Sequence, residues 1–276
     1  MDTDSLNDLL RKALVASVHA GDVILGIYES ENCRVDLKKD NSPVTLADRR
    51  SNAVICDMLR ETGLPVLSEE AAEISYETRK SWTFFWLVDP LDGTREFINR
   101  NGEFTVNIAL VNKHSPVLGV VYTPLKRVLY FGSKPMGSYR VVLPDNRELP
   151  VHLDDWTGMA DRLPLAKSRK GIRIVASRSH MSPETLEYIR HLRQKHKNVE
   201  IVSRGSSMKI CMVAEGEAEY YPRLGPTMEW DTAAGQVIAE AAGCSMTRYG
   251  TTNPVVYNKT ELLNPWFVVK AEDLSG

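Results

Sequence analysis

Trp82-Thr83-Phe84-Phe85-Trp86-Leu87-Val88, followed without a break by Asp89-Pro90-Leu91-Asp92-Gly93-Thr94, is the stretch on which the reading of this chain turns. Seven apolar, aromatic and β-branched residues predict a buried strand. The proline, and the glycine after the second aspartate, then predict a tight reversal that lets Asp89 and Asp92 converge and turns the Leu91 carbonyl outward. Two carboxylates and a carbonyl form an oxygen donor set suited to a hard cation such as Mg²⁺. Gly93 and Thr94 add backbone N–H groups beside the same point, and Thr94 adds a hydroxyl. Taken alone, the hexapeptide reads equally well as a plain surface turn.

Working outward, Leu6, Leu9, Leu10, Ala13, Leu14, Ile24 and Ile27 keep largely to helical spacing and predict an amphipathic helix over 5–29. A second helix is expected to run to about 61, opened by Thr45 with Asp48 at the acidic position of a capping box. Strands at 65–67, 105–111, 117–122 and 128–131, separated by Gly and Pro turns, predict an antiparallel meander. After a polar stretch at 144–165 the pattern alternates between strands, at 172–176 and 199–203, and helices that open at Ser182-Pro183, at Gly205-Ser206-Ser207 and at Asp231. The expected class is α+β passing into α/β, with an N-terminal subdomain over 1–150 and a C-terminal one over 151–276.

A chain of 276 residues, 43% hydrophobic and 25% charged, is long enough for a sizeable core and excludes stapled mini-scaffolds, coiled coils and disordered chains. Its 34 basic against 36 acidic residues leave a formal charge of −2, so no basic field exists to drive binding to nucleic acid. Cys33, Cys56, Cys211 and Cys244 form no CxxC pair and are expected to be reduced, Cys56 and Cys244 as small buried hydrophobes. No apolar run approaches the roughly eighteen residues of a spanning helix. Asp2 and Asp4 stand where a signal peptide would carry basic residues, so the cytosol is the expected compartment.

Other acids add to the hexapeptide. Glu69-Glu70 closes a short strand, where a carboxylate can face a cleft or simply a solvated loop. Asp231 is expected to cap its helix, a structural task that leaves its second oxygen for a cation. Asp48 has a capping role that requires no chemistry.

Asp89 to Thr94, Glu69 and Trp230-Asp231-Thr232-Ala233-Ala234-Gly235 together resemble the signature motifs of the inositol monophosphatase superfamily of Mg²⁺-dependent, lithium-sensitive phosphatases. The segments 40–45, 67–70, 100–107, 177–180 and 225–227 are similar to its bacterial 3'(2'),5'-bisphosphate nucleotidase branch. The resemblance runs from about residue 10 to 268 and implies a five-layer α-β-α-β-α sandwich. It implies two or three Mg²⁺ ions, one held by Glu69, Asp89 and the Leu91 carbonyl, another by Asp89, Asp92 and Asp231, with Li⁺ as an inhibitor. It also implies a Thr94–Asp48 pair that orients the attacking water, and phosphate oxygens held by the N–H groups of Gly93 and Thr94. Substrate contacts are implied at Glu69, Leu91, Asp92, Gly93, Thr94 and Asp231, and for a second phosphate at His180, Ser206, Lys209 and Arg223. Loop length around Arg223 differs from that of some relatives.

The implied activity is hydrolysis of the 3'-phosphate of adenosine 3',5'-bisphosphate to AMP and phosphate, linked to sulfate assimilation. Two alternatives stand beside it: an inositol monophosphatase using the same acids, and a catalytically silent sensor of metal and nucleotide. The presence of both Thr94 and Asp48 speaks against the sensor. The implied partner is a small-molecule nucleotide, with no nucleic acid and no transmembrane segment, in a monomer or homodimer. Because some members of the branch sit at the inner face of the cytoplasmic membrane, peripheral association there stays open beside the cytosol.

Overall fold

A computed structural model describes residues 1–30, 35–37, 43–71, 73–144, 148–165, 171–176 and 181–272. The first helix, Thr3–Glu29, starts where the Asp2 carboxylate accepts the Ser5 N–H at 2.8 Å. It buries Leu10, Ala13, Leu14 and Ile24 together with the second helix, Leu46–Arg60, whose Thr45/Asp48 capping box forms as expected.

Both helices lie on a seven-stranded sheet. Its order is Val66–Ser68, Phe84–Asp92, Thr105–Asn112, Ser115–Thr123, Val128–Ser133, Gly137–Val142 and Asp161–Arg162. All neighbours are antiparallel except the first pair, which is parallel, so the expected meander is present with one parallel edge strand. Alternation along the second strand divides two cores: Trp86 and Val88 face the first helix pair, whereas Phe85 and Leu87 face Ile210, Ala233 and Ile238 of two later helices, Met208–Ala214 and Glu229–Ala241. Gly119 permits that second contact, since a Cβ there would stand 2.4 Å from the Ala234 carbonyl oxygen.

Beyond these helices lies a five-stranded sheet in the order Val199–Ser203, Ile172–Ala176, Tyr220–Arg223, Phe267–Ala271, Cys244–Arg248. Tyr221 and Phe267 turn inward, while Ile174, Tyr220 and Val268 turn outward onto Ile189 and Leu192 of the helix Pro183–Lys195. The result is helix pair, sheet, helix pair, sheet and helix: five layers. Pro222 lies within the central strand, yet parallel pairing on one side is confined to Ile174 with Tyr220, and Pro222 itself pairs with Val268 of the antiparallel neighbour. Its missing N–H is therefore not required.

Cys33 lies outside the described residues; among them Cys56, Cys211 and Cys244 are free thiols, of which only Cys211 is enclosed while Cys56 and Cys244 are half-buried, which corrects the expectation for that pair. Cys56 lies on a partly exposed helix face, where its thiol donates to Asn52 Oδ1 at 3.3 Å. Among the described residues no helix is long and apolar enough to cross a membrane.

Candidate active site

The strand does not end at Val88. It continues through Asp92, with a register shift between Asp89, paired with Asn107, and Asp92, paired with Thr105. Three steps on one strand therefore oppose two on its partner: a bulge, in place of the expected tight reversal. In a regular strand Asp89 and Asp92 would point to opposite faces, and the extra residue restores a common side. Ser51 Oγ donates to the Pro90 carbonyl at 3.0 Å and ties the bulge to the second helix. The Leu91 side chain is buried core, while its carbonyl lies 3.5 Å from Thr94 Oγ1.

Register also places Glu69. Ser68 pairs with Val88 in the parallel edge, so Glu69 emerges level with Asp89. Asp231 arrives from the other half of the chain. It is not the helix cap but the third residue of Glu229–Ala241, with Met228 at the cap, and its Oδ2 accepts the Met228 N–H at 2.8 Å. That helix start is pinned by fully buried Glu229, which accepts N–H groups of Asn258 at 2.6 Å and Lys259 at 3.0 Å and the Lys259 ammonium at 2.5 Å.

The four acids act on one another. Burial first, then Glu69, Asp92 and Asp231, hold the Asp89 carboxyl well above the usual carboxylate range, and Glu69 also hydrogen-bonds to it. Burial and then Asp92 push Asp231 up in the same way. Among the described residues no three acid, histidine or cysteine side chains already converge on one ligating point. Oxygens of three of the acids are instead engaged by nearby donors: Asp89 Oδ1 by Leu91 N–H at 3.1 Å, Asp92 Oδ2 by Ser207, and Asp231 by Met228. Mutual repulsion at electrostatic range in an all-oxygen donor set is the chemistry that a hard divalent cation satisfies, so these residues fit Mg²⁺.

Thr94 opens a short helix, Thr94–Ile98, whose first-turn N–H groups have no partner within the helix. Gly93 precedes it at φ 93°, where a side chain would be strained and a Cβ would lie 3.1 Å from the Glu103 carbonyl. Thr94 Oγ1 donates to Asp48 Oδ1 at 3.0 Å. The other oxygen of Asp48 is filled by Thr45, through its N–H at 2.7 Å and its hydroxyl at 2.6 Å. Asp48 thus caps the second helix and engages Thr94 at once.

An open cleft adjoins this cluster, lined by Asp92, Gly93, Ser206, Lys209, Arg223 and Asp231. Ser206 has φ 48°, which delays the helix expected from Gly205 to Met208. Lys209 is buried, donates to the Ser206 carbonyl at 2.6 Å and stands 5.7 Å over the Tyr221 ring. Burial above all, then Arg223, pushes its ammonium down to about 8 against the pull of Asp92. Arg223 donates to the Pro226 carbonyl at 2.8 Å, and its Nε is buried with no partner among the described residues. Neither cation forms an ion pair with a described residue. His180 lies outside the described residues. Two contributors were not expected: Arg204 at the cleft wall, and Ser207, whose N–H and hydroxyl both donate to Asp92 Oδ2 at 2.6 Å. The Gly-Ser-Ser run was the available signal for Ser207.

The profile of the Inositol monophosphatase family matches residues 6–272. The 3'(2'),5'-bisphosphate nucleotidase CysQ of Salmonella typhimurium is 40% identical over 264 residues, covering 95% of this chain and 99% of that one. The CysQ of Buchnera aphidicola is 35% identical, covering 97% of each. Among solved structures, CysQ from Bacteroides thetaiotaomicron, described as a bacterial member of the inositol monophosphatase family, superposes with TM-score 0.90 at 50% identity over 96% of this chain and 98% of that one. An inositol monophosphatase from Anabaena shares the fold at 23% identity and TM-score 0.68, covering 96% of this chain and 91% of that one.

Proposed function

The chain belongs to the inositol monophosphatase family, and from that premise we propose that it is a Mg²⁺-dependent phosphatase releasing the 3'-phosphate of adenosine 3',5'-bisphosphate to leave AMP. One observation carries the choice of substrate: the acid cluster adjoins a cleft that also holds Lys209 and Arg223, two cations with no carboxylate partner among the described residues. A second phosphate is what such cations accept.

The residues divide the work as follows. Asp89 is shared between one set with Glu69 and the Leu91 carbonyl and another with Asp92 and Asp231, which suits two cations. Mg²⁺ bound there neutralises the carboxylates, polarises the phosphoryl oxygens and lowers the pKa of water. Asp48 accepts the hydrogen bond of the Thr94 hydroxyl, so the Thr94 oxygen offers lone pairs to the attacking water and orients it. N–H groups of Gly93 and Thr94 meet the charge that builds on the phosphoryl oxygens. Lys209 and Arg223 hold the remote phosphate and fix the nucleotide's direction, with Ser206 lining the cleft beside them.

Phosphate release measured side by side on adenosine 3',5'-bisphosphate, inositol 1-phosphate and fructose 1,6-bisphosphate, with Mg²⁺ and then with added Li⁺, tests this. The bisphosphate nucleotide should be fastest and Li⁺ inhibitory. Faster release from inositol 1-phosphate would move the chain to the other branch, and no release from any of them would favour a silent sensor.

Lys209 supplies a pH signature. Its ammonium is charged below about 8 and lost above it, so KM for the bisphosphate should be flat at neutral pH and climb past that value. Lys209→Met should raise KM by roughly 10- to 100-fold and abolish the climb. A climb that persists in the variant would assign it to another group.

A further inference from the structure

Four hydrogen bonds join the cleft wall to the acid cluster in one unbroken run. Ser206 Oγ donates to Thr105 Oγ1 at 3.2 Å, Thr105 Oγ1 to Asn107 Oδ1 at 3.0 Å, Asn107 Nδ2 to Ser207 Oγ at 2.7 Å, and Ser207 Oγ to Asp92 Oδ2 at 2.6 Å. The direction follows from the chemistry of the groups. The two groups beyond Ser207, the Asp92 carboxylate at 2.6 Å and the Asp231 carbonyl at 2.8 Å, stand as acceptors, so Ser207 turns its single proton towards them. With that proton spent, Ser207 can only accept from its other neighbour, and the Asn107 amide must turn its nitrogen towards it. The amide oxygen then faces Thr105, whose own proton is committed in turn, which leaves Thr105 as acceptor for Ser206.

Burial keeps water from competing, since Thr105, Asn107 and Ser207 are 0%, 1% and 4% exposed. Hydrogen bonds in such a one-way chain polarise one another and strengthen the last. At that end Asp92 Oδ2 holds two donors, the hydroxyl and the N–H of Ser207, which fixes the carboxylate plane and presents Oδ1. The Asp231 carbonyl also lies 2.8 Å from Ser207 Oγ, so one serine meets both acid-bearing segments.

We propose that Thr105, Asn107 and Ser207 are positioning residues, a hydrogen-bond relay from cleft-facing Ser206 that sets Asp92 for cation binding. The proposal rests on Asp92 as a Mg²⁺ ligand, and its test keeps the two apart. Residues that orient metal ligands typically change metal affinity about 10- to 100-fold when removed.

Calorimetric titration of the metal-free full chain with MgCl₂ reads the effect directly, beside a melting curve taken without Mg²⁺. Ser207→Ala should weaken Mg²⁺ binding about 10-fold. Thr105→Val keeps shape but removes the hydroxyl, and although Thr105 does not touch the Asp92 carboxylate it should weaken binding several-fold. Thr105→Ser should restore it, and the Ser207→Ala/Thr105→Val double variant should be no worse than Ser207→Ala. Should Ser207→Ala not fold, the Thr105 pair decides alone. A Thr105→Val chain with lowered melting temperature and wild-type Mg²⁺ affinity, or a double variant whose weakening is the product of the single ones, overturns the relay alone. A wild-type chain that takes up no Mg²⁺ overturns the cation reading, and the relay with it.

Discussion

Asp89→Asn is expected to cut phosphate release by at least about 10³-fold, equivalent to about 4 kcal/mol in the barrier, while raising the melting temperature of the metal-free protein. The two effects have one cause. Asp89 is 1% exposed, and burial together with Glu69, Asp92 and Asp231 resists its negative charge. An amide at this position keeps an oxygen for the Leu91 N–H, donates to Glu69 in place of the carboxyl proton, and removes the charge that both cation sets share. In a chain of this size each kcal/mol of relieved repulsion corresponds to about 2–4 °C. A variant that loses activity and also melts lower would make Asp89 a structural carboxylate whose ionised form the fold prefers.

The same repulsion sets a pH dependence with a definite sign. Asp89 and Asp231 have folded pKa values raised above the ordinary 3.8. Their contribution to stability is therefore fully present below that value and is lost as pH rises through the elevated folded values. In EDTA the melting temperature should fall as pH climbs from about 4 towards neutrality, and millimolar Mg²⁺ should restore it at neutral pH by binding only the folded chain. In Asp89→Asn the fall should be shallower. A chelated wild-type protein whose melting temperature does not fall over that range would mean that these acids do not repel one another in solution.

Much of this was legible in the order of residues. The first two helices, the meander and the helix after Ser182-Pro183 follow from apolar spacing and capping residues, because each buries one stripe or face against a neighbour. The strands Tyr220–Arg223, Cys244–Arg248 and Phe267–Ala271 carry weaker signals. Pro222 argues against a strand until its neighbours are known, and in Cys-Ser-Met-Thr-Arg the apolar alternation is carried by Cys244 and Met246 alone, too short a run to stand out. At the site, residue types were readable and geometry was not. Asp89 and Asp92 share a side through a bulge, which depends on the partner strand as much as on Pro90. Ser207 escaped notice because its value lies in contacts with Asp92 and Asn107, each at least 100 positions away.

Thr94→Ala should lower kcat by about 10²- to 10⁴-fold with KM, Mg²⁺ affinity and melting temperature near wild type. Proton accounting at Asp48 makes Thr94 the cleaner residue to change. Asp48 Oδ2 already accepts two donors from Thr45 in the capping box, so replacing Asp48 would also weaken the second helix by about 1 kcal/mol and blur the result. Among the described residues Asp48 Oδ1 accepts only the Thr94 hydroxyl, at 3.0 Å against 3.5 Å to the Leu91 carbonyl, so the hydroxyl donates its hydrogen bond to the carboxylate. That leaves the threonine oxygen to accept from water, the one thing alanine cannot do. Thr94→Ser keeps the hydroxyl and should retain most of the turnover, provided the serine rotamer still reaches Asp48. Equal losses in the alanine and serine variants would mean that the methyl group, by packing, and not the proton to Asp48, is what the site requires; unchanged turnover in both would remove Thr94 from the chemistry.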